Sequence, residues 1–167
     1  MGMKYNPNRH HRRSIRLKEY DYSQVGAYFL TICIQDRRYL LGNISKYNML
    51  LNDAGKMVEE EWHKLPGRFN QIQLDHSVIM PNHFHGIILI ESAFPRRLLG
   101  EVVGVFKSIT SYRYLEGIKN KMWPPLKNKL WQRNYYEHII RSEISLQKIR
   151  YYVDNNPTTW EKRYSLQ

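Results

Sequence analysis

The sequence contains little cysteine and no long apolar stretch. Cys33 is the single cysteine among 167 residues, which excludes an internal disulfide and favours a reducing compartment. No apolar run approaches the roughly 20 residues that a membrane-spanning helix needs. Residues 1–16 are polar and basic, so they do not predict a signal peptide. We therefore expect a cytoplasmic protein that does not associate with membranes.

Acidic residues are also scarce relative to basic ones. The sequence contains 15 Asp and Glu residues and 26 Lys and Arg residues, which give a net charge of +11 and a pI near 9.8. Such a positive field attracts polyanions, and 13 tyrosines and 4 tryptophans accompany it. Cations interleaved with aromatic rings suit unpaired nucleic-acid bases, which stack on exposed rings. The alternative is that the rings form the core while the charge serves solubility.

The length of 167 residues predicts one domain spanning residues 1–167, with a basic N-terminal arm over residues 1–20. The predicted elements alternate between strands and helices along the rest of the chain. They are strands at 28–34, 46–51, 72–80, 83–91 and 130–141, and helices at 53–65, 98–118 and 143–155, the last ended by Pro157. This order predicts an α+β fold of the ferredoxin-like, split β-α-β type. The sheet should be mainly antiparallel, with helices on one face and an added C-terminal helix.

Helical spacing also predicts which faces of the two middle helices are buried. In the helix 53–65, Met57, Val58, Trp62 and Leu65 share one face, and the acidic run at 59–61 should be solvated. In the helix 98–118, the predicted core face comprises Val102, Val105, Phe106, Ile109 and Tyr112.

Two histidines, His83 and His85, open the strand that follows the turn at Pro81 and Asn82. Because side chains alternate along a strand, both imidazoles point to one face and Phe84 points to the other. Imidazole is the commonest protein ligand for metals, so the pair is a candidate metal site. A bare His-x-His is also compatible with ordinary surface or core histidines.

The last predicted helix offers polar partners for this pair. Leu146, Ile149 and Val153 form its apolar arc, and Tyr152 and Asn156 lie at the edge of that arc, with Tyr151 and Asn155 opposite. Residues four apart are neighbours on a helix, so a hydroxyl and an amide would face the sheet together.

Several cations and one tryptophan are candidates for binding nucleic acid. The segment 119–130 is basic around a Trp-Pro-Pro sequence, although it could be an ordinary proline-rich loop. Together with the arm, one helix and the following strand, it supplies the predicted nucleic-acid-binding set: Arg12, Arg13, Lys107, Lys121, Trp123, Lys127, Lys129 and Arg133.

The ordered set of motifs resembles a known family. His83-Phe84-His85, the Trp-Gln-Arg sequence at 131–133, the segment 137–141, and Tyr152 ahead of Asn-Asn-Pro are similar to the REP-associated tyrosine transposases. These are relatives of the IS200-like single-tyrosine HUH transposases. The resemblance implies that His83, His85 and Asn156 bind a divalent metal, Mg²⁺ or Mn²⁺, and that Tyr152 is the nucleophile.

The resemblance further implies metal-dependent nicking and strand transfer on single-stranded DNA through a 5′-phosphotyrosine intermediate. The substrate would be hairpin-forming repeat DNA, and the protein would act as a monomer or a homodimer. One alternative is a domesticated hairpin-DNA-binding protein that cleaves little or not at all. A second alternative, a metal-dependent hydrolase of small molecules, leaves the positive charge and the tyrosine helix unexplained.

Overall fold

The computed structural model describes residues 24–92 and 98–164. The predicted N-terminal arm, with Arg12 and Arg13, lies outside these residues. The elements, in chain order, are β1 (Gly26–Cys33), β2 (Gly42–Ser45), β3 (Asn48–Leu51), α1 (Asp53–His63), α2 (Leu65–Arg68), β4 (Ile72–Met80), β5 (His83–Ile90), α3 (Leu98–Lys121), β6 (Tyr136–Ile140), α4 (Glu143–Asp154) and α5 (Asn156–Tyr164).

The main sheet has the strand order β4-β5-β1-β6, and every neighbouring pair in it is antiparallel. This arrangement confirms the predicted α+β fold with its antiparallel sheet. Strands β4 and β5 form the expected hairpin, since Met80 pairs with His83 across the turn. As β5 lies between β4 and β1, both of its edges are hydrogen-bonded and its backbone is held firmly.

The two faces of the sheet are covered by different helices. Phe84 points to the face of α1 and α3, where its ring lies 4.5 Å from Trp62 and 5.4 Å from Phe106 between ring centroids. His83 and His85 point to the opposite face, where α4 and α5 pack. This alternation separates the hydrophobic core from the polar site on a single strand.

The acidic run of α1 is not uniformly solvated, contrary to prediction. Glu61 is buried, and its carboxylate accepts hydrogen bonds from Arg113 at 2.6 Å and Lys64 at 3.1 Å. Glu61 falls at helical spacing between Val58 and Leu65, so it belongs to the buried stripe. The guanidinium of Arg113 on α3 offsets the cost of burying this carboxylate.

The core face of α3 also differs from the predicted one. Tyr112 is 65% exposed, whereas Thr110 and Tyr114 are fully buried. The Trp131 indole N–H donates to the Thr110 hydroxyl at 2.8 Å, so a polar side chain lies on the inward face. The helix continues to Lys121, but neither α3 nor any other helix in the described residues could span a membrane.

Three further features differ from prediction. The single strand predicted at 46–51 is a hairpin of β2 and β3, joined by Lys46 and Tyr47 with positive φ angles of 50° and 65°. The strand predicted at 130–141 is reduced to β6, preceded by an isolated bridge between Ile34 and Trp131. The helix predicted at 143–155 matches α4, but a further helix that was not predicted, α5, follows it. Pro157 lies in the first turn of α5, where its missing N–H costs nothing.

Candidate active site

The histidine pair lies at the bottom of a cavity of about 550 Å³ on the α4 and α5 side of the sheet. His83 and His85 are 6% and 4% exposed, and their ring centroids are 4.7 Å apart. Both belong to the central strand β5, so their spacing is fixed by the sheet itself.

Each imidazole is oriented by a hydrogen bond at Nδ1. Asn82 Oδ1 lies 2.7 Å from His83 Nδ1, and Thr31 Oγ1 lies 2.8 Å from His85 Nδ1. We assign the Nδ1–H of each ring as the donor, because an amide or hydroxyl oxygen accepts it well. The Nε2 lone pairs are then available to a ligand, the arrangement found around metal-binding histidines.

Burial keeps both imidazoles neutral. Burial, with the charges of His85 and Arg37 as smaller causes, lowers the pKa of His83 to about 3. Burial also lowers the pKa of His85 to about 4, against a smaller raising effect from the Leu30 backbone. At neutral pH both rings therefore present lone pairs and no charge, as metal coordination requires.

Tyr152 approaches the pair from α4. Its hydroxyl lies 3.4 Å from His85 Nε2, and its ring contacts Phe29 edge-on at 6.0 Å between centroids. Tyr152 is 48% exposed and lines the cavity, whereas Tyr151 is 71% exposed and does not line it. The structure thus brings Tyr152, and not its neighbour, to the histidines.

An ion pair and a hydrogen bond attach α4 to the edge strand β4. The Arg150 guanidinium makes a bidentate hydrogen bond with the Asp75 carboxylate, which is only 7% exposed. This bond is the main reason why the pKa of Asp75 lies below its ordinary value. Asp154 accepts from His76 Nδ1 at 2.8 Å, one helical turn further along. These contacts flank Tyr152 in sequence and place its side chain over β5.

Asn156 enters the same cavity from the first position of α5 and is 7% exposed. No group of three His, Cys, Asp or Glu side chains that could hold a metal occurs among residues 24–92 and 98–164. A metal bound to both imidazoles would therefore need a ligand of another type, and the Asn156 amide oxygen is a suitable donor. One turn later, Trp160 packs against His83 at 5.4 Å.

The nucleic-acid candidates within the described residues do not line this cavity. Trp123 is half-buried against Tyr114, and the Lys121 ammonium lies 5.8 Å from the centroid of the Trp123 ring. Trp123 and Lys121 line a second cavity of about 660 Å³ near α1. Lys127, Lys129 and Arg133 are exposed. Lys107 donates to the carbonyls of Gln132 and Arg133, at 2.7 and 2.9 Å, so its ammonium is already engaged.

Sequence reasoning missed residues at the mouth of the histidine cavity. They come from the β1–β2 connection and from α5, and comprise Arg37, Tyr39, Thr159, Trp160 and Arg163. The position of Trp160 four residues after Asn156 was a usable signal, but the helix was expected to end at Pro157. The role of Thr31 depends on cross-strand register and had no local signal. Asn82 directly precedes His83 in the β4–β5 turn, but its hydrogen bond to that ring was not predicted.

Three comparisons place this geometry among known proteins. The model of the family described as "Transposase IS200 like" matches residues 28–156. An uncharacterised protein of Haemophilus influenzae is 43% identical, with 97% of each chain covered. A REP-associated tyrosine transposase bound to a REP hairpin is a structural match with a TM-score of 0.64 and 19% identity, over 87% of this chain and 74% of that one.

A second structure, of a protein of Deinococcus radiodurans assigned as a transposase, matches with a TM-score of 0.50 and 18% identity, over 85% of this chain and 97% of that one. At these identities the two structures establish the shared fold. The family model covers most of the chain and includes both histidines, Tyr152 and Asn156. The chain belongs to the IS200-like transposase family.

Proposed function

We propose that this protein nicks single-stranded DNA beside hairpin-forming repeats and transfers the strand through a 5′-phosphotyrosine intermediate. One observation carries the proposal: the Tyr152 hydroxyl lies 3.4 Å from His85 Nε2 in a cavity that His83 and Asn156 also line. A nucleophile beside two neutral imidazoles and an amide is an arrangement suited to phosphoryl transfer.

The covalent step uses the Tyr152 oxygen. It attacks phosphorus as its proton is lost, a bond forms between the tyrosine oxygen and phosphorus, and the bond from phosphorus to the 3′ oxygen breaks. The leaving strand gains a proton and becomes a free 3′-hydroxyl, while the protein retains the 5′-phosphate. In strand transfer another 3′-hydroxyl attacks the same phosphorus, which restores a phosphodiester and releases the tyrosine.

His83, His85 and Asn156 fit a divalent cation, and we propose Mg²⁺ or Mn²⁺. When bound, such a cation supplies positive charge and Lewis acidity beside the scissile phosphate. Two features suit the imidazoles to such a cation: they are buried in their neutral form, and their Nδ1 atoms are hydrogen-bonded to Asn82 and Thr31. The histidines are thus set to bind without prior rearrangement of the strand.

The net charge of +11 and the hairpin bound to the structural relative support DNA as the substrate. The competing function is a hairpin-binding protein that does not cut. A protein that only binds needs neither the paired imidazoles nor the nearby tyrosine, so the site favours the nicking enzyme.

The test is to incubate the protein with hairpin oligonucleotides from its own genomic neighbourhood, labelled on the 3′ side of each candidate cleavage position. With Mn²⁺ we expect a protein–DNA adduct that survives denaturant and disappears with EDTA. Tyr152→Phe should abolish the adduct, whereas Tyr151→Phe, its matched control, should retain it. Tight binding without an adduct would favour the non-cleaving protein, and absence of both would refute DNA processing.

A further inference from the structure

We propose that the mouth of the cavity is a subsite for the unpaired nucleotide next to the scissile phosphate. Tyr39 would stack its base, and Arg37 and Arg163 would bind its phosphates. This inference rests on the proposed function and names residues that recognise the substrate. All three line the same cavity as His83, His85 and Tyr152.

The two arginines are available for phosphate, unlike Arg113 and Arg150. Arg113 is paired with Glu60 and Glu61, and Arg150 is paired with Asp75. Arg37 and Arg163 are exposed, and neither forms an ion pair with a carboxylate in the described part of the chain. Two uncompensated guanidinium groups on one cavity form a site for a polyanion, because guanidinium binds phosphate oxygens well.

The backbone at Arg37 is strained, and a hydrogen bond from Asn82, the neighbour of His83, holds it in place. Asp36 and Arg37 have positive φ angles of 59° and 54°, a region that non-glycine residues seldom adopt. The Asn82 side-chain N–H donates to the Arg37 carbonyl at 3.2 Å, and Asn82 Oδ1 pairs with His83 at 2.7 Å. One side chain therefore couples the position of Arg37 to that of a candidate metal ligand. Such strain concentrates at functional sites.

Two aromatic rings continue from the histidines to the surface. Trp160 contacts His83 at 5.4 Å and Tyr39 at 5.8 Å between ring centroids. Trp160 is half-buried and forms a wall, whereas Tyr39 is 58% exposed and one ring removed from His83. An exposed tyrosine ring that packs against Trp160 is a suitable platform for an unpaired base.

The experiment measures binding separately from cleavage, in full-length protein carrying Tyr152→Phe. The probes are hairpin oligonucleotides with a single-stranded tail in which 2-aminopurine replaces each successive base. We expect strong fluorescence quenching at one tail position. Adding Tyr39→Ala should remove that quenching and weaken binding roughly tenfold, within the range for loss of one stacked base. Tyr39→Phe keeps the ring and should retain both.

The matched control is Tyr47→Ala, because Tyr47 is similarly exposed, at 54%, but does not line the cavity. It should leave the quenching unchanged. The arginines are tested by salt dependence: Arg37→Gln and Arg163→Gln should each reduce the slope of log K against log salt by about 0.7, the value for one lost single-strand phosphate contact. Arg37→Lys keeps the charge and should preserve the slope.

The outcomes separate the two proposals. If the Tyr152→Phe protein binds none of the hairpins even at low salt, the proposed function fails. If it binds them, but Tyr39→Ala behaves like Tyr47→Ala and the arginine variants keep the full salt slope, the subsite is refuted while the proposed function stands.

Discussion

Replacing Thr31 by valine tests whether the sheet orients His85 for the proposed metal. Thr31 lies directly opposite His85 in the β1–β5 register, and its hydroxyl is 2.8 Å from His85 Nδ1. Valine has nearly the shape of threonine and suits a strand, so the change removes the hydrogen-bond partner while preserving the packing. His85 then loses the group that favours the tautomer with a free Nε2.

The expected magnitude follows from the surroundings of His85. Loss of an outer partner of a metal-binding histidine lowers metal affinity by about 10- to 100-fold. The Leu30 backbone also interacts with His85 and favours its protonated ring, so part of the orientation should survive. We therefore expect a loss near the lower limit, about tenfold or 1.4 kcal/mol in Mn²⁺ affinity.

Mn²⁺ binding is measured by calorimetric titration, with thermal unfolding of the metal-free protein as a check on the fold. Thr31→Ser retains the hydroxyl and should bind Mn²⁺ within about twofold of the unaltered protein, a difference well under the energy of one hydrogen bond. If Thr31→Val binds Mn²⁺ as tightly as the unaltered protein, the hydroxyl does not set the tautomer and the reasoning is refuted.

Two further predictions concern stability. Gly86→Ala should destabilise the protein by about 1–3 kcal/mol, because an added Cβ would lie 2.6 Å from both Phe84 and Trp62. Gly104→Ala, in the exposed interior of α3 with open space around the new atom, should instead stabilise it by about 0.4–1 kcal/mol. Urea unfolding measures both, and a destabilised Gly104→Ala would contradict the packing argument. Arg150 lowers the pKa of Asp75, so the stability from this pair is complete above the ordinary carboxyl pKa of about 4 and is lost as pH falls through the folded-state value. Asp75→Asn should therefore flatten the decline in stability as the pH falls below about 4. A decline as steep as that of the unaltered protein would argue against the pair.

Features with strong local signals were predicted from the sequence. The strand 72–80 matches β4, and the turn at Pro81 and Asn82 gives the expected hairpin with β5. Asn52 and Ser142 cap α1 and α4, a position that their residue types favour, and each accepts a hydrogen bond from a backbone N–H three residues later. Alternation along β5 places both histidines on one face, and helical spacing brings Tyr152 rather than Tyr151 to them.

Features that depend on distant partners were not predictable from local patterns. Glu61 is buried because Arg113 reaches it from another helix. Thr110 is buried because Trp131 supplies a donor. The β2–β3 turn uses Lys46 and Tyr47 at positive φ, without the glycine or asparagine that normally marks such a turn. The cavity mouth was missed because its residues come from segments distant in sequence.

The histidines lie on a strand and Tyr152 lies on a helix, and this difference determines how easily each can move. The imidazoles sit on a strand that is hydrogen-bonded along both edges, so displacing them means breaking the backbone ladder. Tyr152 sits on a helix that side-chain contacts join to the sheet, among them the pairs formed by Arg150 and Asp154. The histidines therefore lie on the rigid strand β5, whereas Tyr152 lies on α4, which side-chain contacts hold against the sheet. In the proposed reaction, moving α4 with a DNA end covalently attached to Tyr152 would break the contacts of Arg150 and Asp154 with β4 and the ring contacts of Tyr152. The central strand would keep its shape.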